Sequence, residues 1–330
     1  MSTPLLMLAS RIPSDSPILD FDIVVVGGRP LLVCTDFGGD VFSWDPLRDE
    51  WAGHRLDMPW RPEDEYEFSD ILTIGAAVVD GRVVVGGGGE HQPFAQWDLE
   101  SGAIRTYARY EHGGVASTAT MELDGRALFV SGCTGPAVHL WDASKRDPDP
   151  AADEVQLAGH GDGVGGVTSG RLWDRPVVVS GAHDGSVLVW DISAEEPLTQ
   201  FDDLDFVVRG VGLVTVDGHA RVVAAGGRAL VMGDPDTGAW EAPLAVPGDD
   251  INCMDVGVVD GLPVAVTGGE DGTVCVWDLV GRRLLGVPLT EHEKEVFAVR
   301  VTDFDGRPVA VTAGRDRRMR LWDLGALLGR

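Results

Sequence analysis

LWDRPVVVSGAHDGSVLVWDI, residues 172–192, holds two Trp-Asp pairs, and which of them marks a structural repeat decides the fold. The dipeptide occurs seven times, at Trp44, Trp97, Trp141, Trp173, Trp190, Trp277 and Trp322, with uneven gaps of 53, 44, 32, 17, 87 and 45 residues. Four other stretches set the frame: VDGRVVVGGGGEHQPFAQWDL (79–99), LDGRALFVSGCTGPAVHLWDA (123–143), VDGLPVAVTGGEDGTVCVWDL (259–279) and FDGRPVAVTAGRDRRMRLWDL (304–324). In each an Asp-Gly turn precedes an apolar run, a second turn follows, and an alternating run ends at Trp-Asp, the pattern of short antiparallel strands joined by hairpins. In that frame Trp190 ends a strand, whereas Trp173-Asp174 stands where other repeats place Asp260-Gly261 and Asp305-Gly306. It is a turn. The 87-residue gap then spans two periods, and its midpoint, VDGHARVVAAGGRALVMGDP (216–235), keeps both strands with Gly233-Asp234 in place of Trp-Asp. Seven marks remain, at 44, 97, 141, 190, 233, 277 and 322, spaced 53, 44, 49, 43, 44 and 45.

Between marks lie further extended segments, AIRTYAR (103–109), EVQLAGH (154–160), PLTQFD (197–202) and RRLLGVPL (282–289), which makes four strands per unit. Four short strands in a period of about 44 residues ending at Trp-Asp resemble the WD40-repeat family of β-propellers, and the VDGRPVVVSG style resembles its stand-alone bacterial members. The resemblance implies an all-β, seven-bladed ring of four antiparallel strands per blade. Blade one spans about residues 15–58, blade two 67–110, blade three 113–160, blade four 162–202, blade five 204–246 and blade six 249–290. Blade seven (294–324) is one strand short, and PLLMLAS (4–10) is expected to complete it, which removes an exposed edge and ties the ring shut. The long gaps hold Pro- and acid-rich insertions at 57–68 and 144–154, expected to be solvated loops.

The charge balance narrows the partners. With 53 acidic against 26 basic residues, net −27, the chain repels phosphate, so neither nucleic acid nor membrane is expected and any charged partner should be cationic. No apolar run reaches a membrane span and LLMLA (5–9) has no basic residue before it, so a cytoplasmic monomer is expected. The four cysteines, Cys34, Cys133, Cys253 and Cys275, have no metal or disulfide spacing. They read as core residues, and neither metal nor cofactor is expected.

His160, Ser180, Asp184 and Trp190 imitate a hydrolase triad, but blade seven repeats them at the same offsets as His292, Thr312, Asp316 and Trp322. Catalysis needs one such site, not a periodic one. The family resemblance implies a structural tetrad, a hydrogen-bond chain from indole to carboxylate, complete in blades four and seven. Blade six keeps Thr267, Asp271 and Trp277 without the His, and blade five, lacking even its Trp, is expected to be the softest. The run Gly86 to Gly89 reads as a turn between the second and third strands rather than a phosphate loop. GRDRRMR (314–320) reads as solvated arginines.

Function on such a ring is expected on its end loops. The resemblance places Asp70, Phe206, Asp250, Asn252, Glu295 and Phe297, at the starts of innermost strands, together with Glu90, His183, Glu270 and Arg315, before the third strands, on one upper face. That acidic, Phe-containing face suits a basic protein or peptide, and the chain reads as a non-catalytic interaction scaffold. The competing reading is an enzyme or a small-ligand or cation site at the channel mouth using Asp70, Asp250, Glu270 and Glu295; a carboxyl with a strongly raised pKa would favour it. Trp173 is expected to force its turn into a type unlike its counterparts. Its indole either folds onto Arg175 and Pro176 or stands free on the lower face as a second contact.

Overall fold

The computed structural model describes residues 5–58, 71–90, 92–108, 113–146 and 155–328. The Asp-Gly turns have both residues in the left-handed region: Asp80–Gly81 at φ 50° and 76°, Asp124–Gly125 at 51° and 75°, Asp217–Gly218 at 50° and 80°, Asp260–Gly261 at 49° and 83°, Asp305–Gly306 at 55° and 77°. Two successive left-handed residues give the two-residue turn whose twist matches antiparallel strands. Gly adopts that region freely and Asp at small cost. Gly27–Gly28 does the same in blade one at 57° and 78°.

Each turn joins an innermost strand to a second, and seven antiparallel sheets follow one another around a ring. Blade one runs Ile18–Val26, Arg29–Asp36, Val41–Asp45 and Glu50–His54 from channel to rim. Blade seven takes three strands from its own repeat, Val296–Phe304, Arg307–Gly314 and Arg318–Asp323, and its outermost, Leu6–Arg11, from the other end of the chain. Leu6 lies opposite Trp322 and Arg11 opposite Arg318. Backbone bonds from Asp323 to the Leu5 carbonyl (2.8 Å) and from Ile12 to the Arg317 carbonyl (3.1 Å) extend this closure. Among the described residues no helix is long and apolar enough to cross a membrane; the one helix is the single turn Leu324–Leu327.

Three local expectations need correction. Gly86 to Gly89 are strand, not turn: they end Arg82–Gly89. A Cβ on Gly86 would lie 2.6 Å from the Phe94 ring and 2.8 Å from that of Phe129, so glycine is what lets two aromatics close on this strand. Trp173–Asp174 does not form a different turn. Its φ values of 49° and 63° match those of the Asp-Gly turns. The eight paired positions on either side, from Val164 opposite Ala182 to Leu172 opposite Arg175, leave two residues to reverse the chain, and a two-residue reversal demands this geometry. The indole bears the steric cost of the left-handed region, roughly 1–2 kcal/mol.

The third departure is in the outer strands. Blade six's fourth strand keeps only Arg283–Leu284 in regular pairing, with an isolated bridge from Val274 to Leu289. Blade five's is split into Ala239–Trp240 and Leu244–Ala245. Glu241, in the break, is held by Arg221 (3.3 Å) and by Arg282 of blade six.

Candidate functional site

Inside the blades, the residue ten positions before each Trp decides where the indole N–H goes. In blades three, four, six and seven a hydroxyl stands there, and the indole donates to it: Trp141 to Ser131 (2.8 Å), Trp190 to Ser180 (2.8 Å), Trp277 to Thr267 (3.2 Å) and Trp322 to Thr312 (2.8 Å). Blade one has Cys34 and blade two Gly87 at that offset. There the N–H turns away, to the Asp49 carboxylate (3.0 Å) and the Asp57 carbonyl (2.7 Å).

In blade seven the chain continues from Thr312 to His292 Nε2 (2.7 Å), and His292 Nδ1 lies 3.1 Å from both oxygens of Asp316. With Nδ1 protonated, Trp322, Thr312, His292 and Asp316 form one unbroken donor–acceptor chain. Blade four inserts an extra member. His160 Nε2 meets Ser180 (2.7 Å), but Nδ1 meets Ser186 Oγ (2.7 Å), which donates to Asp184 (2.6 Å). Blade six, without a His, breaks into two pieces, Trp277 to Thr267 and Thr273 to Asp271 (2.6 Å).

Burial pushes both imidazoles below their ordinary value and so keeps them neutral. Burial also works against the Asp316 charge, yet the hydrogen bond from His292 and the adjoining Arg320 guanidinium (2.6 Å) overcome it and hold this carboxyl at about 2. A triad needs a nucleophile open to substrate. Ser180 and Thr312 are fully buried and already accept from a Trp, so these constellations hold strands together.

The seven innermost strands line a central channel of about 360 Å³, and none of its charged groups is among the sequence candidates: Asp20, Asp22, Arg209, Asp255 and Arg300. Arg300 of blade seven lies 3.2 Å from Asp20 of blade one and over the Phe21 ring at 5.5 Å. Asp20 and Asp22 accept from the backbone of blade two at Ile74 (3.1 Å) and Ala76 (2.9 Å), and Asp255 of blade six accepts from Val301 of blade seven (2.7 Å). Burial raises the Asp22 and Asp255 carboxyls even against the charge of Arg300. A raised carboxyl is what a channel-mouth acid or base would need. Here, however, each spends its oxygens on two backbone N–H groups, its own neighbour's and the next blade's. That is the work of a staple between blades, each bond to a charged acceptor contributing about 1.5–3 kcal/mol.

On the upper face one backbone bond recurs. The residue seven before the Trp position donates to the carbonyl just ahead of the innermost strand: Phe37 to Pro17 (2.8 Å), Thr134 to Gly114 (3.0 Å), and His183 to Gly163, Glu270 to Asp250 and Arg315 to Glu295, each 2.9 Å. This rung sets the two positions side by side on the rim. On blade six it joins two exposed acids, Glu270 and Asp250, neither in an ion pair among the described residues. On blade seven it joins Glu295 to Arg315, whose side chains pair at 2.7 Å. On blade one it presents Phe37, 63% exposed.

The other sequence candidates are scattered. Glu90 and His183 are exposed on blades two and four, and Asp70 lies outside the described residues. Asn252 and Phe297 are half-buried and line the channel. Phe206 is half-buried, its ring and Cβ set against Gly226 and Gly227. Phe37 is not among the sequence candidates, although it shares the offset of Glu90, His183, Glu270 and Arg315. The arginines of 314–320 are largely paired: Arg315 with Glu295, Arg317 with Asp15 (2.9 Å) and Arg320 with Asp316.

Comparison with known proteins adds one finding. Residues 154–191, 244–278 and 283–323 match the family model described as WD domain, G-beta repeat. The segments end in blades four, six and seven, the blades that keep both hydroxyl and carboxylate beside their Trp. No curated protein matches the chain.

Proposed function

We propose that this chain, a WD40-repeat propeller, is a non-catalytic protein-interaction scaffold whose upper rim binds a basic protein or peptide segment. The observation that carries this reading is the arc over blades six, seven and one: two adjoining acids, Asp250 and Glu270, in no ion pair among the described residues; the Glu295–Arg315 pair; and the exposed Phe37. Phe37 supplies a desolvating anchor and the acids supply orientation and on-rate, the division found in charged interfaces. Phe297 and Asn252 line the channel mouth inside the arc. His183 and Glu90 extend the rim on blades four and two, and Phe206 contributes from the approach to blade five.

Titration of the protein with a Lys-rich peptide carrying one aromatic residue tests this. Affinity should fall steeply with salt. Phe37→Ser should weaken it about tenfold at unchanged melting temperature, and Asp250→Asn with Glu270→Gln should flatten the salt dependence. Binding that ignores salt and survives both variants contradicts the proposal.

A further inference from the structure

The lower face carries side chains that neither the fold nor the upper rim uses. Trp173 occupies a left-handed turn position that its counterparts give to Asp or Gly, yet its indole is 51% exposed and, among the described residues, makes no ring contact and no hydrogen bond. The strain therefore brings neither a ring contact nor a hydrogen bond in return, and the exposed half of the residue is free to bind. Three valines share this face. Val25, Val78 and Val258 each stand two residues before an innermost hairpin turn, and they are 63%, 41% and 59% exposed.

The charges around them are mainly negative. The turn-tip carboxylates of Asp80, Asp124, Asp217, Asp260 and Asp305 are exposed, and none is in an ion pair among the described residues. The arginines that follow three of the turns are drawn outward, to the Asp of the Trp-Asp marks: Arg82 to Asp98 (3.5 Å), Arg126 to Asp142 (3.4 Å) and Arg175 to Asp191 (2.9 Å), while Arg29 and Arg307, which follow two others, are exposed and in no ion pair among the described residues. Of the turn-tip acids, among the described residues only Asp174 is covered, by Arg171 at 3.1 Å.

We infer that the lower face is a second docking surface, separate from the upper rim, for a cationic amphipathic segment of another protein. Trp173 and the valines take its aliphatic side and the turn-tip carboxylates its lysines and arginines. Apolar contacts alone would leave five carboxylates unused, and a polyanion would be repelled by all of them.

The test uses the full chain with its upper rim disabled by Phe37→Ser and Glu270→Gln, titrated with a synthetic amphipathic peptide of Leu and Lys. The inference expects salt-dependent binding. Adding Trp173→Asn should weaken that binding about fivefold or more and raise the melting temperature, because Asn tolerates the left-handed turn. These opposite signs separate a binding indole from a structural one. Val25→Ser with Val258→Ser should weaken binding as well. No binding in the rim-disabled protein, equal binding after Trp173→Asn, or a melting temperature that falls with it would overturn the inference. So would capture of phosphatidylserine vesicles in preference to the peptide.

Discussion

Blade seven and blade five reach the same four-stranded shape by different means. Blade seven has every repeat residue: Trp322, Thr312, His292 and Asp316 in one chain, with Arg320 bracing its acidic end. Blade five has none of them. At its mark, a Cβ on Gly233 would lie 2.8 Å from the Trp240 ring and collide with Phe201, and those two rings lie tilted at 34° with centroids 4.5 Å apart. The volume that the missing Trp would fill is taken by an indole from the opposite strand, since Gly233 pairs with Trp240. Its N–H finds the Asp202 carbonyl at 3.0 Å. A blade thus needs a filled, satisfied interior more than it needs the motif, and side chains that the repeat conserves around the ring are structural. Function is to be sought in exposed groups that break the repeat, such as Phe37 and Trp173.

The largest expected effect comes from making blade seven incomplete in its turn. Deleting residues 1–12 removes the strand opposite Arg318–Asp323 and uncovers Trp322. The chain should lose its cooperative thermal transition, and an unchanged melting temperature would refute closure by this strand. Next, Trp240→Ala should take away blade five's substitute. Denaturant unfolding should register a loss of about 3 kcal/mol, the low end for aromatic truncation, because the ring is half-buried. A loss below about 0.5 kcal/mol would mean the indole is only a surface cover.

Smaller still is an acid effect confined to the blades with a His. His160 and His292 lie below their ordinary 6.5 in the fold, so between neutrality and mild acid the unfolded chain binds protons that the folded one refuses. Their contribution is complete above pH 6.5 and is lost as pH falls. Asp316, at about 2 against an ordinary 3.8, adds a loss of the same sign at lower pH. The double variant His160→Gln, His292→Gln should flatten the decline of melting temperature from pH 7 to 5, and an identical slope would mean that both rings take up protons alike in the folded and the unfolded chain.

The ring was legible because each repeat carries two local signals a fixed distance apart, a turn that needs Asp-Gly and a strand end at Trp-Asp. Where a residue's role depends on another blade, the sequence was silent. Nothing beside Asp22 or Asp255 in the chain announces that each reaches the backbone of the next blade. Trp240 was hidden likewise, because its partner Gly233 lies across a strand pair. Trp173 departs from expectation for a related reason: propensity disfavours the turn, but paired strands on both sides impose it. Phe37 was within reach by offset alone. Blade one, with Cys34 for a hydroxyl and Gly38 six before its Trp, is degenerate enough to mask the rim pattern.

The central claim is that repeat members hold the ring while exposed, aperiodic side chains bind. Its most direct test is one paired measurement of melting temperature and Lys-rich peptide affinity on Thr312→Val and Phe37→Ser. Thr312→Val should lower stability by about 1–3 kcal/mol, the cost of unsatisfied buried partners, and leave affinity unchanged, whereas Phe37→Ser should do the reverse. If both variants shift both quantities together, the division between holding and binding is wrong.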